Sequence, residues 1–186
     1  VLLCLVPLNF NPKSLHFPDL GLRLDPHRPS PFAFVSHGHA DHFARHERIL
    51  CSKSTGHILR KRYGVKASAI EPLDWGEEKI INDHIITLHP AGHITGSAMI
   101  RIEHKSHSLL YTGDFKTRPS RTAEIPGFPK SDILVMETTF GRPHFVFPPT
   151  EEIERCIVRF ARESLDDGDT PIFLAYSLGK AQEALA

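Results

Sequence analysis

The string SHGHADH (36–42) limits what this chain can fold into more than any other feature. It places three histidines and one aspartate in seven positions, directly after the apolar run FAFV. Unpaired polar groups and charges resist burial, and a divalent cation at the strand mouth would offset that cost. His37 and His39 lie two apart at a strand end, so both project towards one point. Asp41 and His42 follow on the next turn, within reach of a second cation. The competing reading is a polar loop whose histidines are satisfied by neighbours.

The rest of a metal shell is legible further along. In HPAGHITGSA (89–98), His93 sits between two glycines after the strand pattern HIITLHP, where a sharp turn can set an imidazole at the strand end. His89 is nearby but lies within the strand pattern, which makes His93 the better ligand candidate. LLYTGDF (109–115) delivers Asp114 one glycine beyond another apolar strand, and a carboxylate has two oxygens with which to bridge two cations. Asp25, after GLRL, reads either as a turn cap or as a carboxylate that fixes a ligand histidine from behind.

Composition adds bounds. The 186 residues amount to about one domain, and 22 basic residues cancel 22 acidic ones. Net charge therefore gives no argument for a nucleic-acid partner, and any such contact must be local. Cys4, Cys51 and Cys156 form no C-x-x-C pair, which argues against a disulfide framework or a thiolate zinc site and fits a reducing compartment. VLLCLVPLNF (1–10) has neither the basic start nor the cleavage site of a signal peptide, and reads as a strand. No apolar run reaches the ~18 residues of a membrane span, so a cytoplasmic protein with no membrane partner is expected.

Strands are expected at 21–25, 32–36 and 48–52, then a helix from 54 to 63 stopped by Gly64. Four further strands follow: ASAIEPL, HIITLHP, SAMIRIEH and HSLLYTGD, the last two a hairpin around Lys105. A proline-rich loop over 117–130 leads to the apolar DILVMET, read as a buried strand. Thr150 opens a helix whose apolar face is Ile153, Cys156, Ile157, Phe160 and Ala161, with Gly168 past its end. PIFLAYS (171–177) reads as another buried strand and GKAQEALA as the start of a helix. A strand followed by a half-made helix leads us to expect the N-terminal part of a larger protein.

SHGHADH, AGHITGSA and YTGDF resemble, in order and context, the metal motifs of the metallo-β-lactamase superfamily. That resemblance implies an α/β fold, the αβ/βα sandwich with a two-metal site along one edge. It assigns His37, His39 and His93 to a first zinc and Asp41 and His42 to a second, with Asp114 bridging and Asp25 in support. METTFG (136–141) resembles the first signature of the β-CASP nucleases, with Glu137 the acid that orients a general-acid histidine. YSLGKAQE (176–183) resembles the first strand-to-helix turn of the inserted β-CASP domain. Together they look most like bacterial ligase-associated DNA exonucleases, with the crosslink-repair nucleases more distant.

The domain plan implied is the N-terminal part of the metallo-β-lactamase domain over 1–145 and the start of a β-CASP α/β domain over 146–186. The sandwich would be incomplete, because two later family motifs would lie beyond residue 186.

The chemistry implied is metal-dependent phosphodiester hydrolysis. Two cations ~3.5–4 Å apart neutralise attacking and leaving oxygens and activate water, and imidazole and carboxylate donors suit zinc, with manganese possible. Asp41 would orient the water and take its proton. Lys180, in the turn SLGK, would meet a substrate phosphate or else be a solvated helix lysine. RKRYGVK (60–66) reads as a solvated helix end. Phe145 and Phe147 could stack bases but read more naturally as packing residues. DNA is favoured over RNA as substrate, with a DNA ligase system as a partner. The alternatives are an RNA-processing β-CASP nuclease, a thioester or lactone hydrolase, and an inactive zinc-binding fragment.

Overall fold

The computed structural model describes residues 9–11 and 14–186. By contact the chain forms two compact units, Val1–Glu137 with Ser177–Ala186, and Thr138–Tyr176.

The first unit is built on two sheets. One runs β1 (Asn9–Asn11), β2 (Ser14–Phe17), β3 (Leu22–Leu24), β4 (Phe32–Phe34), β5 (Arg48–Ser52), β6 (Ile70–Leu73), in that spatial order. Its first pairings are antiparallel, and β3 to β6 are mutually parallel. The other sheet is ordered β11 (Ile133–Val135), β10 (His107–Tyr111), β9 (Ala98–His104), β8 (His84–Pro90), β7 (Lys79–Ile81). Here β7 to β10 are antiparallel and β11 joins β10 in parallel.

Alternation of side chains explains the layers. In β5, Leu50 faces the other sheet, while Ile49 and Cys51 face outwards with Leu59 of helix α1 (Lys53–Tyr63). In β9, Ile100 and Ile102 turn inwards to join Leu22, Leu24 and Phe34 of the first sheet, while Met99 packs outside with Ala91 and Leu110. The central core is thus a two-sheet sandwich with both faces covered, which explains the nearly continuous apolar runs in its parallel strands. Ser52 caps α1 by accepting from the Thr55 N–H at 3.1 Å, and Gly64 closes it in the left-handed conformation.

The architecture positions the site through strand direction. Strand β8 is antiparallel to β9, and β9 to β10, so β8, β10 and β11 all run the same way. Their C-terminal ends carry His93, Asp114 and Glu137, as those of β3 and β4 carry Asp25 and the histidine string. Ala98 N donates to Ser36 O at 2.9 Å, tying the two sheets together at that edge.

The second unit contains helix α2 (Thr150–Asp166), with Glu151 and Glu152 in its first turn. Helix α3 (Lys180–Leu185) belongs to the first unit.

Several expectations need correction. Among the described residues β11 is an edge strand paired with β10 alone, and Leu134 is 54% exposed, so it is not buried. The run PIFLAYS forms no strand: no described strand pairs with it, and Leu174 is 96% exposed. An apolar run becomes a strand only when a neighbour satisfies its backbone groups. Strands β2 and β7, four and three residues long, went unrecognised. The expected strand at 1–10 lies largely outside the described residues. The hairpin at Lys105, whose φ is +55°, is as expected.

Candidate metal centre

The site is assembled by strand-end loops that turn sharply at the same edge. Gly113 has φ +53°, and a Cβ there would come within 2.6 Å of Ser36 Cβ, so the approach that presents Asp114 requires glycine. Asp25 itself holds φ +42°, an unusual conformation for a non-glycine residue, and its carboxylate explains why it is kept. Oδ1 accepts from Ser36 N at 2.7 Å. Oδ2 accepts from Ser36 Oγ at 2.6 Å and Tyr111 OH at 2.9 Å, and lies 2.9 Å from His42 Nδ1.

Four residues offer ligand atoms within 4.8 Å of one another: His37, His39, His93 and Asp114. His37 Nε2 is 2.9 Å from His39 Nδ1, and His93 Nε2 is 3.3 Å from the same atom. Asp114 Oδ2 lies 3.9 Å from His37 Nε2 and 3.6 Å from His93 Nε2. Two ligands bound tetrahedrally through ~2.0–2.1 Å bonds sit ~3.3 Å apart. The imidazole spacings are close to that figure.

Hydrogen-bond chemistry supports the same fit. The Ser36 hydroxyl donates to Asp25, so towards His37 Nδ1, 3.0 Å away, it can only accept, and Nδ1 carries the ring hydrogen. The Leu178 carbonyl also only accepts, so the His39 hydrogen is on Nε2, 3.1 Å from it. His37 Nε2 and His39 Nδ1 therefore turn lone pairs towards each other, an arrangement that a cation between them makes favourable. The donor set fits a divalent metal that accepts imidazole and carboxylate.

His42 is held differently. Its Nδ1 is engaged by Asp25 and its Nε2 is 3.4 Å from Asp114 Oδ1. Burial works against its charge, but the Asp25 hydrogen bond and the charges of Asp25, Asp114 and Asp41 raise it to about 9. Burial and the neighbouring imidazoles His39 and His42 lower His93 to about 4 against the opposing charge of Glu137. Burial, then the other imidazoles, pushes fully enclosed His37 well below the ordinary range. Burial raises Asp114, with Glu137, Asp25 and Asp41 adding to it against His42.

Asp41 is exposed on the short turn Ala40–His42 and lies outside the four-residue group, although its charge reaches His42 and Asp114. His89 contacts Thr87 Oγ1 at 3.1 Å within β8 and takes no part. Glu137 is half-buried, and its charge acts on both His93 and Asp114. Lys180 is exposed at the first position of α3, two residues after the carbonyl that meets His39.

Four supporting groups escaped the sequence reading. Ser36 and Tyr111 gave one available signal, as polar residues flanking motif positions. Ser97, fully buried, accepts from the His93 and Ile94 N–H groups at 2.9 and 3.2 Å and fixes the His93 loop. The Leu178 carbonyl gave none, because every residue carries one.

Among the described residues no helix is long and apolar enough to cross a membrane.

The sequence profile of the β-lactamase superfamily domain matches residues 13–163. The chain is 49% identical over 175 residues to a probable DNA ligase of Opitutus terrae, covering 92% of the chain and 17% of that protein. It is 31% identical over 175 residues to an RNase J-like protein of Methanocaldococcus jannaschii, covering 81% of the chain and 41% of that protein. It is 30% identical over 161 residues to the human DNA cross-link repair 1A protein, covering 82% of the chain and 16% of that protein. The matched part thus spans less than half the length of each of these relatives.

Proposed function

The chain belongs to the metallo-β-lactamase superfamily, most of whose members are hydrolases, and on that premise we propose that it is the metal-bearing part of a phosphodiesterase, a DNA exonuclease of DNA repair. The observation that carries the metal-dependent hydrolase is the convergence of His37, His39, His93 and Asp114, with the lone pairs of His37 and His39 turned towards each other. What narrows the substrate to nucleic acid is METTFG at the end of β11 and SLGKAQE around α3, the β-CASP resemblances. The names of the relatives, with DNA ligase and DNA cross-link repair among them, agree.

In this reading His37, His39 and His93 would hold one zinc and Asp41 and His42 a second, with Asp114 a ligand to both; manganese would be an acceptable substitute. When bound, the two cations supply charge neutralisation and an activated water. The protein's own groups do the rest. Asp114 sets the spacing, Asp25 fixes the His42 ring, and Asp41 orients the attacking water and accepts its proton. Glu137, whose charge acts on His93 and Asp114, would orient the histidine that protonates the leaving group. Lys180 meets a substrate phosphate as a point charge. Residues 1–145 are the N-terminal part of the superfamily domain and 146–186 the start of a β-CASP domain. The setting is a cytoplasmic one with a DNA ligase as functional partner.

A second reading, an RNA-processing nuclease, is favoured by the RNase J-like relative, since either backbone offers the same phosphodiester. The test supplies end-labelled single-stranded DNA, RNA of the same sequence and a lactone in parallel, with zinc or manganese, to this chain and to any longer natural protein that contains it. Stepwise shortening of DNA is expected. Hydrolysis of RNA alone would select the second reading. Lactone hydrolysis with both nucleic acids intact would remove the nuclease reading, and metal binding without any turnover would identify an inactive zinc-binding fragment.

A further inference from the structure

The segment following Tyr176 touches the metal cluster from outside the motif loops. Leu178 O lies 3.1 Å from His39 Nε2, across 139 residues of sequence. Two close approaches seat it there. A Cβ on Gly179, whose φ is +91°, would fall 2.4 Å from Ile94 Cγ2, next to His93. A Cβ on Gly38, between His37 and His39, would lie 3.3 Å from Leu178 Cδ2. The turn is closed on itself by Gln182, whose Oε1 accepts from Gly179 N at 2.7 Å and whose Nε2 donates to Ser177 O at 3.1 Å.

What anchors the turn is Glu183. Its carboxylate accepts from the Ser120 hydroxyl, from Thr122 Oγ1 at 3.0 Å and from Arg121 N at 3.3 Å, with Lys116 Nζ 3.7 Å away. The loop it grips is joined in turn to the His93 loop. Thr95 Oγ1 donates to Thr122 O, and Gly96 N donates to Glu124 Oε2 at 2.8 Å. A closed circuit results: His39 to Leu178, through the turn to Glu183, to Thr122, to Thr95 and back to His93.

We propose that Glu183 is a positioning residue for the metal centre, holding the Leu178 carbonyl on His39 and thereby locking two ligand loops into one geometry. The inference rests on the metal reading given above. A ligand imidazole whose far nitrogen is fixed by a carbonyl keeps its tautomer and ring orientation, and loss of such partners costs ~10–100-fold in metal affinity. The carboxylate matters because four donors converge on it. An amide in its place keeps one acceptor oxygen and so restores part of the grip.

The experiment compares the wild-type chain with Glu183→Ala, Glu183→Gln and Thr122→Val, using two readouts that need no turnover. The first is zinc affinity by competition with a chromophoric chelator. The second is the tautomer of His39 in the metal-free chain, read from two-dimensional NMR correlations of the imidazole nitrogens. Glu183→Ala should weaken zinc binding by about tenfold or more and turn His39 from a single Nε2–H form into a mixture. Glu183→Gln should fall between it and wild type, and Thr122→Val should show a smaller shift of the same sign. Should the alanine variant not fold, the glutamine and valine variants carry the comparison. Wild-type affinity and an unchanged His39 tautomer in the folded variants overturn the proposal. A wild-type chain that binds no zinc instead overturns the metal reading, while the tautomer measurement still decides the role of Glu183.

Discussion

The histidine cluster has two halves that the fold treats in opposite ways. His37 and His93 are kept neutral, His37 far below its ordinary value and His93 lowered to about 4, with burial the leading cause. His42, five residues after His37, is raised to about 9 by Asp25, Asp114 and Asp41 in spite of burial. The first half is therefore poised to accept a cation at neutral pH without losing protons, since ligand imidazoles must be neutral. The second half already holds a positive charge, the proton, which a metal must displace. The halves thus differ because burial and neighbouring imidazoles dominate at His37 and His93, whereas the carboxylates of Asp25, Asp114 and Asp41 outweigh burial at His42.

Removing the residue shared by both halves should have the largest effect. In the DNA assay, Asp114→Ala should lower the rate about a thousandfold or more, as loss of a metal-held charge worth ~4 kcal/mol implies. A residual rate within tenfold of wild type would show that the halves are not linked through Asp114.

Next in size is the contrast between ligands. His37→Ala should remove tight metal binding in calorimetric titration, while His42→Ala should leave the first equivalent of zinc within about tenfold of its affinity. Titration in weakly buffered solution sharpens the comparison. At pH 7 to 8 the proton held on His42 should be released by the equivalent that engages it, about one in number, whereas His37 and His93 should contribute close to none. Equal proton release by both equivalents would erase the distinction.

A smaller effect is expected on the stability of the metal-free chain. Between about 4 and 6.5 the unfolded chain binds a proton at His93 that the folded chain does not, so stability rises with pH. The contribution of His42 is complete below 6.5 and is lost as pH climbs through about 9. Thermal melts should trace a dome with its top near the ordinary histidine value, and His42→Ala should flatten the alkaline limb alone. The smallest change is Tyr111→Phe. It removes one of four donors on Asp25, so a loss of about 1 kcal/mol in stability and only a few-fold in metal affinity is expected. A loss as large as that of His37→Ala would place Tyr111 at the centre of the site.

Much of this was legible in the sequence where the cause is local. Apolar runs marked β5 and β9, and Gly64 marked the end of α1. The H-x-H-x-D-H string, His93 among glycines and Asp114 after a strand named the ligand candidates, because each motif sits where its own strand stops. Local pattern failed where an element depends on a neighbour. ILV at 133–135 and PIFLAYS at 171–177 are both apolar, yet the first is a half-exposed edge strand and the second no strand at all.

The sequence by itself therefore determined which side chains this protein could offer a metal, since residue type and strand-end position are encoded within a few residues. Only the tertiary structure decided how they are aimed. The partner of Asp25 on β10, the carbonyl on His39 and the hydroxyls around Glu183 come from segments 86, 139 and about 60 residues away. A backbone carbonyl has no sequence signature, and a hydroxyl acquires its role only when packing of the two sheets brings it within hydrogen-bond distance of a carboxylate.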